Sequence, residues 1–337
     1  MKDTQVSANG MQMHLLEEGQ GPLVLLCHGF PELGYSWRYQ IPVLAEAGYR
    51  VVAPDMRGYG GTDAPGDQDA YTLCHLAADM VCLVNALGEK QAAIIGHDWG
   101  APVAWTCALL RPDIFPALGL LSVPYLADIW SGPPPMQSMK MLLAMGQMFY
   151  QLYFQEPGKA EREFEQDVRA THLGLFYGAS GSAPPEHRWR FLFSPSETLA
   201  DTMPRPSGLP PWLREEELDV YVREFKRTGF RGGLNWYRNL DRDRELLGFL
   251  AGAKITQPAL FAAGEEDAVI QMYRPAFDTL EQNVPNLTKK VLIPGAGHWV
   301  QQEKPAEVNQ LLSEFLTRAW PAKSGTGDGL ASPASMR

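Results

Sequence analysis

Several segments that would indicate a membrane or nucleic-acid-binding protein are absent from this 337-residue sequence. No uninterrupted apolar stretch approaches the roughly 20 residues of a membrane-spanning helix, and the first ten residues lack the apolar core of a signal peptide. Lysine and arginine number 29 against 39 aspartates and glutamates, and they form no basic run, so we expect no nucleic-acid partner. These absences predict a soluble, cytoplasmic protein without a membrane span.

Cysteine is also scarce, with four residues in the whole chain and no CxxC spacing. Such cysteines are typical of buried free thiols in a reducing compartment and do not indicate a disulfide framework or a metal site. The four are Cys27, Cys74, Cys82 and Cys107.

What the sequence does contain is an alternation of apolar runs and helical patterns in two blocks. The runs end at glycine or proline and have the length of buried parallel strands. Strands that alternate with helices predict an α/β fold in which helices cover both faces of a mostly parallel sheet. We predict strands at residues 23–27, 49–53, 92–95, 118–123, 259–262 and 290–293, and helices at 73–87 and 311–320.

The middle of the chain, residues 131–247, has few strand signals and contains helical stretches between proline- and glycine-rich breaks. We interpret it as a helical lid inserted between two strands of a core formed by residues 1–130 and 248–321. The acidic run 215–217 is expected to be a solvated helix start. Residues 322–337, rich in small residues, are expected to form a disordered tail.

A five-residue motif follows the third predicted strand and places an aspartate between two glycines. Gly96, Asp98 and Gly100 have the spacing of a sharp strand-to-helix turn, in which small residues allow close approach of the backbones. The central residue of such a turn lies exposed above the sheet at a helix N-terminus, which favours an anion. Asp98 is therefore a candidate nucleophile, although an aspartate before a helix can also serve as a simple cap.

An aspartate at this position restricts the chemistry. A serine that attacks a saturated carbon leaves an ether, whereas a carboxylate leaves an ester, which an activated water can cleave. An aspartate with an ordinary pKa near 3.9 is ionised at neutral pH and needs no base for its attack. The motif thus indicates substrates attacked at a saturated carbon, either epoxides or alkyl halides.

Two further loops supply a candidate base and its carboxylate partner. His298 lies in a glycine-rich loop after the last predicted strand, and Asp267 follows the preceding strand. A carboxylate that accepts a hydrogen bond from the imidazole would fix its tautomer, so that the other ring nitrogen can take a proton from water. Glu265 and Glu266 remain alternatives to Asp267. Nucleophile, acid and histidine follow the chain order of α/β-hydrolases.

The loop after the first predicted strand, His28-Gly29-Phe30-Pro31, is a candidate oxyanion loop. We expect the backbone N–H groups of Phe30 and Trp99 to form an oxyanion hole for the tetrahedral intermediate of ester hydrolysis.

With these motifs, the sequence resembles the epoxide hydrolases of the α/β-hydrolase fold from about residue 6 to residue 320. The fold implied is a mostly parallel eight-stranded sheet with flanking helices and an inserted helical lid. The mammalian soluble type also has an N-terminal phosphatase domain without a counterpart here, so no phosphatase activity is expected. The matching segments are residues 28–31, 55–60, 96–100 and 295–299 and, with special similarity to the mammalian soluble type, 150–158 and 232–239.

The resemblance also implies two tyrosines that stabilise the oxygen of the opening epoxide, one from each lid segment. By motif these are Tyr150 and Tyr237; spacing alone does not distinguish Tyr150 from Tyr153. A phenol of ordinary pKa near 10 is protonated at neutral pH and can donate to the developing alkoxide.

The resemblance implies conversion of a small apolar epoxide and water into a vicinal diol without a metal or organic cofactor. Phe30, Trp99 and Trp299 are the expected pocket residues. Whether the protein is a monomer or a homodimer is left open.

Two alternative functions share parts of this pattern. A haloalkane dehalogenase shares the aspartate turn and a tryptophan after it, but Phe30 has no polar side-chain group for a halide, and the tyrosines have no role in that reaction. A non-catalytic binding protein of the same fold is the other alternative, and such relatives typically lose catalytic residues that are retained here.

Overall fold

A computed structural model describes residues 1–322. The tail predicted to be disordered, 322–337, lies outside the described residues apart from Ala322. Among residues 1–322, no helix is both long and apolar enough to cross a membrane.

Eight strands form one sheet, which confirms the predicted mostly parallel architecture. The pairs β1/β2 and β2/β4 are antiparallel and the others are parallel, in the order β1-β2-β4-β3-β5-β6-β9-β10. A second, two-stranded sheet pairs β7 with β8. The strands are β1 (Lys2–Ala8), β2 (Met11–Glu18), β3 (Leu23–Cys27), β4 (Arg50–Pro54), β5 (Ala92–His97), β6 (Ala117–Leu121), β7 (Met148–Phe149), β8 (Leu192–Phe193), β9 (Ala259–Gly264) and β10 (Leu287–Ile293).

Helices cover both faces of the main sheet, and a further set lies between β6 and β9. The core helices are Gln40–Glu46, Leu73–Ala86, Gly100–Leu110, Ala268–Met272, Arg274–Asp278, Leu280–Asn283, Val300–Glu303 and Pro305–Ala319. The helices of the inserted segment are Pro135–Ala144, Tyr150–Tyr153, Lys159–Gln166, Val168–Gly178, Leu199–Thr202, Glu215–Thr228, Arg231–Arg238 and Leu240–Leu247.

The central strands are buried on both faces because consecutive side chains of a strand point to opposite sides of the sheet. All six residues of β5 are buried. Its consecutive residues Ile94 and Ile95 belong to different hydrophobic clusters, one on each face of the sheet. This explains why β5 is a continuous apolar run rather than an alternating one.

A buried ion pair joins the inserted segment to the core. Glu217 accepts hydrogen bonds from Arg38 Nε at 2.9 Å and from the Tyr39 hydroxyl at 2.7 Å, and its side chain is fully buried. Burial raises the pKa of Glu217, but hydrogen bonds from Arg38, Arg214 and Tyr39 outweigh this effect and lower it to about 2. The expectation of a solvated acidic run at 215–217 was therefore wrong for Glu217, whose helix turns this third position toward the core.

The loops that carry the candidate residues follow strands whose carboxyl ends meet at one edge of the sheet. Phe30 follows β3, Asp98 follows β5, Asp267 follows β9 and His298 follows β10. In parallel sheets this edge is where ligands bind, because side chains from several strands converge there. The inserted segment packs on the same edge, with the Tyr237 ring 5.1 Å from that of Trp99.

Candidate active site

The backbone of Asp98 has the positive φ of a strained turn, +50°, between β5 and the helix Gly100–Leu110. A Cβ atom on Gly96 would lie 2.0 Å from the carbonyl oxygen of Gly100, and one on Gly100 would lie 2.1 Å from the carbonyl oxygen of Cys27. Both positions therefore require glycine, for the steric reason that the motif spacing predicts.

The Asp98 carboxylate accepts a hydrogen bond from the loop after β3. The backbone N–H of Phe30 donates to Asp98 Oδ1 at 2.8 Å. Gly29 allows this approach, since a Cβ atom there would lie 2.2 Å from the same oxygen. Trp99, the second expected donor, lies at the N-terminus of the following helix, and no hydrogen bond from its N–H to this carboxylate is seen within residues 1–322.

His298 lies between two carboxylates. Its Nε2 is 3.4 Å from Asp98 Oδ2, and its Nδ1 is 3.2 Å from Asp267 Oδ2. Asp267 is buried and also accepts from the Val269 N–H at 2.9 Å, which fixes its orientation. The alternatives Glu265 and Glu266 are exposed, so the structure places Asp267 against the imidazole.

The two carboxylates determine the charge of the imidazole. Burial lowers the pKa of His298, but Asp267 and Asp98 together outweigh this effect and hold it well above its ordinary value. Both carboxylates therefore favour the protonated form of the His298 ring over the neutral form.

Two buried side chains that the sequence analysis missed hold the backbone of His298. His97 Nε2 and the Ser122 hydroxyl both donate to the His298 carbonyl oxygen, each at 2.8 Å. The other ring nitrogen of His97, Nδ1, lies 2.7 Å from the fully buried Glu32 carboxylate. Since both partners of His97 are acceptors, both of its ring nitrogens donate.

Tyr150 and Tyr237 lie together above Asp98. Their ring centroids are 6.0 Å apart, and both side chains are buried. The Tyr150 hydroxyl accepts from Gln151 Nε2 at 2.9 Å. Tyr153 is turned away, and its hydroxyl donates to the Glu163 carboxylate. The structure thus separates two tyrosines that sequence spacing leaves equivalent.

Both phenols are suited to donate hydrogen bonds. Burial, above all, raises the pKa of Tyr150 and that of Tyr237 well above the ordinary value of a phenol. Their hydroxyl groups therefore keep their protons throughout the neutral range.

Two cavities meet at Asp98, Tyr150 and Tyr237, which line both of them. The first cavity has a volume of about 70 Å³ and includes Trp99. The second cavity, of about 40 Å³, includes Phe30, Trp299, His298 and Asp267. An adjoining apolar groove of about 880 Å³ shares several residues with the first cavity, namely Leu126, Ile129, Gln151, Leu240, Met272 and Tyr273.

The chain is similar to known proteins over most of its length. The family model described as alpha/beta hydrolase fold matches residues 22–305. The chain is 45% identical to Epoxide hydrolase A of Mycobacterium tuberculosis over 314 residues, which cover 93% of this chain and 96% of that protein. It is 42% identical to Bifunctional epoxide hydrolase 2 of Sus scrofa, covering 91% of this chain but 53% of that longer protein.

A solved epoxide hydrolase from an endophytic Streptomyces superposes with a TM-score of 0.88 at 47% identity, covering 94% of this chain and 95% of that chain. Epoxide Hydrolase A from Mycobacterium thermoresistibile gives the same TM-score and identity, with 94% and 98% covered. On this evidence the chain belongs to the epoxide hydrolases of the α/β-hydrolase fold.

Proposed function

We propose that this enzyme converts small apolar epoxides into vicinal diols through a covalent ester on Asp98, which a water activated by His298 then hydrolyses. The observation that carries the proposal is the position of the Asp98 carboxylate. One of its oxygens is 2.8 Å from the Phe30 N–H, and the other is 3.4 Å from His298 Nε2. Two protonated phenols line the same cavities, whose walls are mostly apolar.

In the first step, Asp98 Oδ2 attacks one epoxide carbon and the bond from that carbon to the ring oxygen breaks. Tyr150 and Tyr237 donate hydrogen bonds to the ring oxygen, and one of them transfers its proton as the alkoxide forms. Oδ1, which already accepts from Phe30, becomes the carbonyl oxygen of the ester.

Ester formation changes His298 from a cation into a base. Alkylation neutralises Asp98, so one of the two anions that stabilise the imidazolium is lost and the pKa of His298 falls. The proton that His298 releases replaces the one that the phenol has given to the diol oxygen. The neutral imidazole, held by Asp267, is then ready to accept a proton from water.

In the second step, His298 takes a proton from water, and the resulting hydroxide attacks the Asp98 Cγ atom. The Phe30 N–H stabilises the negative charge that develops on Oδ1, and the Trp99 N–H is the expected second donor. Collapse of the intermediate breaks the ester bond at Cγ. The departing alkoxide takes the proton of the hydroxyl group that water added to Cγ, which leaves Asp98 as a carboxylate and His298 as the imidazolium. The diol leaves with Oδ2 of Asp98, and the carboxylate retains one oxygen from water.

The inserted segment carries both phenols and covers the carboxylate, and we propose that residues 131–247 are the lid of the active site. Residues 1–130 and 248–321 then form the catalytic core. This division places the nucleophile, its base and the oxyanion loop on the core, and the proton donors on the lid.

A single turnover in heavy-oxygen water tests the covalent route. With enzyme in excess over epoxide, we expect the first diol to contain no heavy oxygen, because its new hydroxyl comes from Asp98. The label should instead appear in the peptide that contains Asp98, as read by mass spectrometry. Heavy oxygen in the first diol would exclude the ester and indicate direct attack by water.

The phenol pair is tested by removing its hydroxyl groups. We expect Tyr150→Phe and Tyr237→Phe each to lower kcat/KM for epoxide opening by about 100-fold, because each removes a donor to the developing alkoxide. The double variant should lose more than either single one, as measured by diol formation.

Tyr153→Phe is the matched control for the phenol pair. Its hydroxyl bonds to Glu163 and lines neither cavity, so kcat/KM should stay within about threefold of the parent. Equal losses in all three variants would contradict the assignment of the donors.

A further inference from the structure

The first cavity contains a buried carboxyl group that the proposed mechanism does not use. Asp243, on the helix Leu240–Leu247, lines this cavity together with Asp98 and is 3% exposed. Its Oδ1 accepts from the Leu73 N–H at 2.7 Å, whereas Oδ2 has no hydrogen-bond partner among residues 1–322. Buried polar atoms are almost always paired, so the unpaired oxygen requires an explanation.

Within residues 1–322, Asp243 forms no ion pair. Arg242, the cation that lowers the pKa of Asp243, forms an exposed ion pair with Asp69 instead. Asp243 in turn helps to raise the pKa of the Cys74 thiol. Burial raises the pKa of Asp243 to about 8, against the opposing effects of the Leu73 N–H and Arg242. Near neutral pH the group is therefore mainly a neutral acid, which both donates and accepts hydrogen bonds.

A second unpaired polar atom belongs to a residue of the same cavity wall. Trp105, on the helix Gly100–Leu110, lines the first cavity, and its indole N–H has no acceptor among the described residues. Trp105 follows Trp99 by six residues, which places it about 9 Å further along the helix from the Asp98 turn. Trp105 thus belongs to a part of the cavity wall distinct from the reacting carboxylate.

We propose that Asp243 and Trp105 form a specificity-determining site that binds a hydroxyl group of the substrate, several carbons away from the epoxide ring. The inference rests on the proposed function and specifies the class of epoxide that this site selects, namely hydroxyalkyl epoxides over hydrocarbon epoxides of equal length.

A hydroxyl is the group whose hydrogen bonding matches both unpaired atoms. It donates to Asp243 Oδ2 and accepts from the Trp105 N–H, and it brings no net charge into the cavity. A substrate carboxylate would lose its hydration and lie beside an acidic group. An ammonium group has donors but no acceptor, so it would leave the Trp105 N–H unpaired. The remaining walls suit the alkyl chain that connects the two ends.

The test compares terminal epoxides of six, eight and ten carbons with their ω-hydroxy counterparts, through the ratio of kcat/KM within each pair. For the parent enzyme we expect a ratio above one that is largest at one chain length, because the site lies at a fixed distance from Asp98. Asp243→Leu should lower this ratio about tenfold, and Trp105→Phe should lower it about threefold. Asp243→Asn, which keeps an acceptor for the Leu73 N–H and a polar group in the wall, should retain most of the preference.

Asp241→Asn is the matched control, since Asp241 lies on the same helix, accepts from the Met136 N–H and does not line the first cavity. In Asp241→Asn, the ratio of kcat/KM between the ω-hydroxy and the hydrocarbon epoxide should equal that of the parent enzyme. A merely structural role of Asp243, as the acceptor at the start of the helix Leu73–Ala86, would lower the unfolding temperature in Asp243→Leu and change both substrates equally.

An unchanged ratio in folded Asp243→Leu, or a parent ratio of one at every length, would overturn the inference. If Asp243→Leu does not fold, Trp105→Phe decides in its place: an unchanged ratio contradicts the site. Failure of the parent to form diol from any of the hydrocarbon epoxides would instead refute the proposed function, and the present inference with it.

Discussion

Asp98→Ala is expected to lower kcat/KM for every epoxide by about 10⁴-fold or more, because the substitution removes the atom that forms the covalent bond in the proposed mechanism. None of the three other carboxylates that line the two cavities can substitute for it, and one of them, Glu266, is exposed and paired with Arg188. Asp267 is engaged by His298 Nδ1 and the Val269 N–H, and Asp243 lies on another wall of the first cavity. Diol formation under steady-state conditions is the measurement.

Asp98→Asn removes the charge of the side chain but keeps its shape, and so tests the two properties separately. Asparagine tolerates the positive φ of this turn better than alanine does, so this variant should fold at least as well as Asp98→Ala. We expect the kcat/KM of Asp98→Asn to fall about as far as that of Asp98→Ala, since a neutral amide is a poor nucleophile. More than a few per cent of the parent activity in purified Asp98→Ala would refute the covalent role.

His298→Gln is expected to stop the cycle after the first step and to accumulate the ester. Asp98 still attacks the epoxide, but the imidazole that takes a proton from water in the second step is missing, so turnover should fall by about 10³-fold or more. The enzyme should consume about one equivalent of epoxide and gain the mass of one substrate molecule, which intact-protein mass spectrometry measures.

The double variant with Asp98→Ala and His298→Gln is the control for this adduct. It should gain no mass, which would place the trapped substrate on Asp98 rather than on a surface nucleophile. Sustained turnover of His298→Gln without an adduct would mean that water reaches the epoxide directly, and the assignment of His298 as the base of the second step would be wrong.

Much of the fold was predictable because buried parallel strands have a distinctive pattern. The apolar runs that end at Gly or Pro correspond to β3, β4, β5, β6, β9 and β10. The strands β1 and β2 have no such continuous apolar run. They are the first two strands at one end of the sheet, and β1 exposes most of its polar side chains to solvent. The resemblance to a known fold, rather than periodicity, implied the full number of eight.

Site residues were predictable where a motif specifies the residue type at one position. They were less predictable where several candidates are adjacent and the direction of the side chain decides which of them enters the site. Spacing alone identified Gly96 and Gly100, and the structure supplies the steric reason. The choice of Asp267 over Glu265 and Glu266 depends on which side chain the loop turns inward, which spacing does not specify.

The cavity walls were the least predictable part of the site. Gln151, Asp243 and Tyr273 come from separate elements, and they line one cavity only because the inserted segment packs on the sheet as it does. No local pattern in the sequence marks a residue as part of such a wall.

The two hydrogen bonds to the His298 carbonyl oxygen determine when the proposed base becomes ordered. His97 and Ser122 restrain this peptide from two directions, and both are buried side chains at the carboxyl ends of β5 and β6. Because this restraint forms when the chain folds, the imidazole is preorganised and need not be immobilised anew in every turnover. The entropy lost on ordering this loop is therefore part of the free energy of folding. It does not add to the activation free energy of the proposed ester hydrolysis.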